Sequence, residues 1–393
     1  MNINNLKAER TNRMTGAISE LLRVTARPKI ISLAGGLPAP ESFPLSIINI
    51  LHKKTVKKYK ANAFQYGPTN GAKQLRDAIV RWIKERHIKV LPENVGITSG
   101  SQGALDCLGK IFINKNDIIA VESPTYIGAL DAFNPYQPEY AEIETDDNGV
   151  VPSSLEKILK TRKIKLVYLI PTFQNPTGRT VSRERRIQIA GIIKKNNALL
   201  IEDDPYNSIR FRGIPVDPIY TLIPENTVYL STFSKVLAPG LRIGYYVAPV
   251  EVGNLLVSAK QSIDLHTNSY GQYLAAEYLS TGHLKKHLPK ILKIYKSRQE
   301  TMLNALAKYF PPSFQWTHPE GGMFIWIEGP KGLDTEKLYW KAIKKNVAFV
   351  PGAYFFARPG EGKNTMRLNY TNVNEKSIEK AINILAEVIK NNL

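Results

Sequence analysis

Leu166-Val-Tyr-Leu-Ile170 is an unbroken apolar run, and Pro171-Thr-Phe-Gln-Asn-Pro-Thr-Gly178 follows it directly. The stretch Ser182 to Lys195 comes next, and then a second apolar run, Ala198-Leu-Leu-Ile-Glu202. A strand without polar alternation is covered on both faces. Ser182 is a helix N-cap in type and place, so a helix separates the two strands. Strand, polar turn, helix, strand is the repeating unit of a parallel sheet sandwiched by helices.

The same rhythm extends to both sides. Strands are expected at Val95 to Thr98, Asp117 to Val121, Glu139 to Ile143, Thr227 to Leu230 and Ile243 to Ala248, with helices at Gly103 to Ile113, near Thr125 to Phe133, and at Val151 to Arg162. After about residue 275 the pattern changes. A long helix from about His283 to Lys308 ends before Pro311 and Pro312, which cannot continue it. Gly322 to Ile327, Ala348 to Val350 and Thr365 to Tyr370 read as strands, with helices at Thr335 to Lys345 and Asn374 to Lys390. The expected architecture is therefore α/β: a mainly parallel sheet between helices, with a smaller α+β domain. Residues 1–45 form an N-terminal arm placed with the small domain, 46–280 the large domain, and 281–393 the small C-terminal domain.

Composition narrows the function. The chain has 393 residues, 43% of them hydrophobic, enough for a large core. A single cysteine, Cys107, excludes an intramolecular disulfide framework and a multi-cysteine metal site, and the histidines lack ligand spacing, so no metal is expected. Met1 to Arg13 is polar, and no apolar run approaches the roughly 20 residues that span a bilayer, so a soluble cytoplasmic protein without membrane partners is expected. The net charge of +19 is spread along the chain. In the Lys-rich stretch His283 to Arg298, Leu284, Leu288, Ile291, Leu292 and Tyr295 recur at helical spacing, which puts the lysines on a solvated face rather than in a nucleic-acid groove.

The unusual residues follow strands, where open parallel sheets bind ligands. Ser99-Gly-Ser-Gln102, Glu122-Ser-Pro-Thr-Tyr126, Pro171 to Gly178, Asp203-Asp-Pro-Tyr206 and Ser231-Thr-Phe-Ser-Lys235 converge on one crevice. A lone loop lysine is ordinarily a solvated surface residue. Lys235, however, stands in a stretch poor in other charges, where desolvation disfavours the ammonium and favours a nucleophilic amine suited to Schiff-base chemistry. Thr232, Ser234 and Arg242 suit a phosphate, and Ser101 and Gln102 open a helix whose N–H groups bind anions. Asp203 ends an apolar strand. Its ordinary reading is a turn residue; its functional reading is a partner for a protonated heterocyclic nitrogen. Asn175, Tyr126 and Tyr206 taken singly are turn or core residues.

With these motifs in hand, the chain resembles the fold-type I pyridoxal-phosphate aminotransferases of class I/II, nearest the α-aminoadipate and kynurenine aminotransferase branch. The resemblance rests on Ser32-Leu-Ala-Gly-Gly-Leu-Pro38, Gln65-Tyr-Gly-Pro68, Thr98 to Gln102, Asn175-Pro-Thr-Gly178, Asp203 to Tyr206, Ser234-Lys235 with Arg242, and Met366-Arg-Leu-Asn-Tyr370. It implies pyridoxal 5′-phosphate joined to Lys235, which is also the catalytic residue. Asp203 would meet the ring nitrogen, Asn175 and Tyr206 the phenolic oxygen, and Tyr126 the ring face. Ser101, Gln102, Thr232, Ser234 and Arg242 would hold the phosphate, with Tyr66 reaching the phosphate of a neighbouring subunit in a homodimer with shared active sites. Arg367, with Asn175, would clamp the substrate α-carboxylate, and Gly36 would let substrate approach the backbone. Thr232 stands where many relatives have serine and keeps the hydroxyl.

The implied reaction is ping-pong transamination between an amino acid and a 2-oxo acid, with 2-oxoglutarate as acceptor. Donors left open are aminoadipate, glutamate, aromatic amino acids and kynurenine. Ser19 stands where aminoadipate-preferring members can present an arginine, with Arg13 and Arg23 nearby. Two other readings are a different pyridoxal-phosphate reaction such as β-elimination, and a non-catalytic cofactor-sensing module fused to a DNA-binding head, for which the stretch before Ser32 is short.

Overall fold

A computed structural model describes residues 6–14 and 27–392 of the chain. Seven strands build the large sheet: β1 (Val95–Thr98), β2 (Ile118–Glu122), β3 (Glu139–Ile143), β4 (Ile164–Leu169), β5 (Leu200–Asp203), β6 (Thr227–Thr232) and β7 (Gly244–Val247). Their order is β1-β7-β6-β5-β4-β2-β3. The run β6-β5-β4-β2-β3 is parallel, whereas β7 lies antiparallel to both β1 and β6. Reversal of β7 matters for the site. It brings the residues before Gly244 to the edge where the other strands end.

Side-chain alternation explains why Leu166 to Ile170 reads as continuously apolar, whereas Lys165 near the start of β4 is exposed. Leu166, Tyr168 and Ile170 pack on one side, with Leu105 and Leu108 of helix Ser101–Phe112 and Phe133 of helix Ile127–Phe133. Val167 and Leu169 pack on the other, with Leu155 of helix Pro152–Thr161 and Ile189 and Ile193 of helix Arg183–Lys195. Both faces are thus dry, and the strand needs no polar residue. Ser182 caps its helix by accepting from the Arg185 N–H at 3.3 Å.

A second sheet comprises β8 (Gln315–Trp316), β9 (Phe324–Glu328), β10 (Val350–Pro351) and β11 (Thr365–Asn369), in the order β8-β9-β11-β10 and antiparallel throughout. It packs against helices His283–Tyr309 and Glu375–Lys390. The single strand expected at Ala348 to Val350 is in fact two. Val347–Ala348 pairs in parallel with Ile31–Ser32, and Val350–Pro351 joins the small sheet. Pro351, lacking an N–H, suits the sheet edge that β10 occupies. Leu33, Ala34 and Ala39 are buried in the core of the small sheet.

Four helices were not anticipated: Leu45–Tyr59, Lys73–Ile83, Val250–Asp264 and Ser269–Ser280. The basic stretch within the first is only partly a solvated face, since Lys54 and Lys58 reach the buried Glu277 at 2.8 and 2.6 Å. Among the described residues no helix is long and apolar enough to cross a membrane.

Candidate active site

Five strand-end motifs line one cavity of about 120 Å³: Ser101, Gln102, Tyr126, Asn175, Asp203, Tyr206, Thr232, Ser234, Lys235 and Arg242 all face it, with Ile170 and Pro205. These are ten of the positions that the sequence placed in a cofactor site. Arg367 and Gly36 adjoin it from the other sheet and from the N-terminal segment. Arg367 donates to Asn175 Oδ1 at 2.7 Å, and Lys235 Nζ donates to the Gly36 carbonyl at 2.9 Å. Tyr66 does not enter this cavity. It is 78% exposed and meets His266 edge-to-face at 5.6 Å. Arg13 donates to the Pro138 carbonyl at 2.7 Å, while Ser19 and Arg23 lie outside the described residues.

One end of the cavity is built for an anion. The turn after β1 places Gly100 at φ +78° and opens helix Ser101–Phe112, whose first-turn N–H groups have no intrahelical acceptor. Arg242, at φ +54°, donates to the Ser99 carbonyl at 3.1 Å. A Cβ on Gly100 would lie 2.4 Å from Arg242 Nη2, and one on Gly244 would lie 2.5 Å from the Gly100 carbonyl carbon. Two glycines therefore let the guanidinium and β7 close on the helix start. Thr232 and Ser234 add hydroxyls 2.9 Å apart.

The same cavity also carries a carboxylate. Asp203, the last residue of β5, is buried; Oδ2 accepts from the Tyr168 hydroxyl at 2.9 Å, and Oδ1 has no partner. Burial pushes its carboxyl up to about 7. Lys235 lines the same cavity, and its amine is lowered to about 8 by burial and by the Arg367 and Arg242 charges. Near physiological pH such an amine is still mostly protonated, but its neutral, nucleophilic fraction is far larger than that of an ordinary lysine. Covalent capture of an aldehyde by Lys235 in the cofactor-free chain is therefore expected to quicken about tenfold per pH unit below 8 and to level off above it. Stopped-flow absorbance across pH 6–10 checks this, since a surface lysine would keep accelerating to about pH 10.

Arg367 is held on all sides. It lies over the rings of Phe324 at 4.2 Å and Phe355 at 4.9 Å, and its Nη2 donates to the Ala34 carbonyl at 2.6 Å. Its Nε is buried without a partner. Desolvation lowers its guanidinium to about 10, still charged at neutral pH. The side chain comes from β11, so the small sheet supplies a cation to a cavity built by the large one.

A solved structure, the Pyrococcus horikoshii kynurenine aminotransferase in complex with PMP, superposes on all of this chain and 98% of its own, with a TM-score of 0.95 and 43% identity. The family model described as aminotransferase class I and II matches residues 34–385. The chain belongs to the class I and II aminotransferases. The aromatic-amino-acid aminotransferase 1 of Thermococcus litoralis is 47% identical to this aminotransferase over 380 residues, which span 95% of this chain and 91% of the relative. The 2-aminoadipate transaminase of Thermus thermophilus is 38% identical over 377 residues, 95% and 93% of the two chains. The resemblance to the aminoadipate and kynurenine branch is thus met by relatives bearing those names.

The family depends on pyridoxal 5′-phosphate, and the residues present in this aminotransferase fit that group. A partnerless buried carboxylate oxygen, an anion cup at a helix start and a depressed lysine amine line the same cavity.

Sequence reasoning missed the supports behind this wall. Asp204 points away from the cavity, paired with Arg86 at 2.7 Å and accepting from Tyr229 at 3.0 Å. Glu202, also buried, accepts from the Ile219 and Tyr220 N–H groups at 2.9 and 2.7 Å. Among the three acidic residues of Glu202-Asp-Asp204, strand alternation alone could have separated Asp203 from its neighbours. Arg86→Met is expected to leave Asp204 uncompensated and to lower stability by about 3 kcal/mol, read by denaturant unfolding. An unchanged midpoint would show the pair to be dispensable.

Proposed function

We propose that this aminotransferase moves the amino group of an aromatic, kynurenine-like or aminoadipate donor to 2-oxoglutarate, or that of glutamate to another 2-oxo acid, by a ping-pong cycle. The observation that carries the reading is that Lys235 and Asp203 line one cavity, with Arg367 adjoining it through its bond to Asn175. Bound pyridoxal phosphate supplies an electron-accepting ring that stabilises negative charge at the substrate Cα. Around it, Asp203 holds a proton on the ring nitrogen through its free Oδ1. Asn175 and Tyr206, already 3.3 Å apart, meet the phenolic oxygen, and Tyr126 covers the ring face. Ser101, Gln102, Thr232, Ser234 and Arg242 hold the phosphate.

Arg367 grips the α-carboxylate with its planar fork, steadied by Asn175 and the two phenylalanine rings. That grip would orient the substrate Cα toward the Lys235 amine, which would serve as the base that takes up and gives back the Cα proton. Gly36 leaves room for substrate beside the backbone. A Cβ there would lie 3.1 Å from the Phe324 ring.

The active form proposed is a homodimer with shared sites, to which Tyr66 lends its hydroxyl across the interface. Supporting this, Phe64, Tyr66 and Leu265 are more than half exposed, and Phe64 and Tyr66 share a surface cleft with His266 and Tyr270. Residues 46–280 are proposed as the large domain and 281–393, joined by the N-terminal arm, as the small one.

A panel of amino donors against 2-oxoglutarate tests the function. Tyrosine, phenylalanine, kynurenine or aminoadipate is expected to yield its 2-oxo acid and glutamate with parallel-line double-reciprocal kinetics. Release of pyruvate and ammonia without an acceptor acid would assign elimination instead.

A further inference from the structure

We propose that Tyr168 is a positioning residue for Asp203, fixing one carboxylate oxygen so that the other is left to meet a protonated ring nitrogen. The inference rests on the cofactor orientation proposed above. Its geometry follows from the sheet. Tyr168 of β4 sits opposite Ile201 of β5 in the parallel register, and Asp203 is two residues beyond Ile201 on the same face. Tyr168 and Asp203 are therefore diagonal cross-strand neighbours, within reach only of a long side chain.

The tyrosine spans that diagonal, and its hydroxyl donates to Oδ2 at 2.9 Å. The ring is fully buried and is met edge-on by Phe133 at 6.0 Å, so the hydroxyl has little freedom to move. Oδ1 is left buried and without a partner. A carboxylate with one oxygen engaged has a defined rotamer and a single open acceptor.

The bond also acts on charge. Burial disfavours the Asp203 carboxylate and the neighbouring Asp204 opposes it further, whereas the Tyr168 donor and the Lys235 charge favour it. Around the phenol itself stand Tyr126 and Glu122, and burial holds the hydroxyl protonated well beyond the ordinary tyrosine range. Tyr168 is thus a donor at every working pH.

A double-mutant cycle on pyridoxal-phosphate affinity separates this role from core packing. Cofactor-free protein is titrated with pyridoxal phosphate, and the dissociation constant is read from absorbance and fluorescence. Tyr168→Phe keeps the ring and is expected to weaken binding roughly tenfold, the worth of a hydrogen bond to a charged group. In an Asp203→Asn background the same change is expected to shift affinity less than about twofold, because there is no charge left to position. Equal losses in both backgrounds, or no loss in Tyr168→Phe, would overturn the proposal. If Asp203→Asn alone leaves affinity unchanged, the cofactor orientation fails instead.

Site-specific 3,5-difluorotyrosine at position 168 changes the acidity of the hydroxyl while hardly changing its shape. It is expected to shift affinity in the Asp203 protein and not in the Asp203→Asn protein, and it reads out the role even should Tyr168→Phe not fold. Identical affinities with tyrosine and difluorotyrosine in the Asp203 protein would count against the proposal.

Discussion

Lys235→Ala is expected to lower amino transfer at least about 10⁴-fold, because one substitution removes both the covalent attachment point and the base that moves the Cα proton. The binding groups stay. Asp203 ends β5, Thr232 ends β6, Ser234 follows it, Arg242 precedes β7 and Ser101 opens a helix, and the hydrogen bonds of Asp203, Thr232, Ser234 and Arg242 do not involve the Lys235 amine. Pyridoxal phosphate should therefore still bind, with the visible band of a free aldehyde in place of the lysine-linked one. Added methylamine, a small diffusible base, should restore a fraction of the rate. Turnover at the wild-type rate would reject the assignment of Lys235.

The second large effect is expected at Asp203. Asp203→Asn preserves shape and the contact with Tyr168 but removes the charge that faces the ring nitrogen. Losing one member of a buried, fully desolvated ion pair costs about 3–5 kcal/mol, so kcat should drop roughly 10³-fold at saturating cofactor. The loss should fall on kcat more than on KM, since Arg367 and Asn175 hold the substrate carboxylate independently. Steady-state kinetics with one good donor decides. A change confined to KM would place Asp203 in substrate binding instead.

Most of the sheet and nearly all of the cavity were legible in the chain. Short apolar runs followed by Gly, Pro, Ser and Asn are strands ending in turns, and that local grammar located β1 to β7 within about two residues at each end. What it could not give was direction. Ile243 to Ala248 is as apolar as the parallel strands, and only the path of the chain makes β7 run backwards. Long-range supports were equally hidden. Arg86 and Asp204 lie 118 residues apart, and neither has a local pattern that predicts the other. Tyr168 reads as one more apolar residue of β4 until the register sets it diagonal to Asp203. The helices Val250–Asp264 and Ser269–Ser280 went unread because their polar residues mask the apolar period: Lys260, Gln272 and Glu277 are buried through partners rather than exposed.

The guanidinium of Arg367 belongs to the small sheet, the Lys235 amine to the large one, and both rest on carbonyls of the same short segment, at Ala34 and Gly36. On the proposed roles, recognition and chemistry come from different sheets and are kept in step by that strip of backbone together with the bond from Arg367 to Asn175. A shift of that strip would move the carboxylate grip relative to the reacting amine, so fidelity of aim depends on two backbone carbonyls rather than on the catalytic side chains alone.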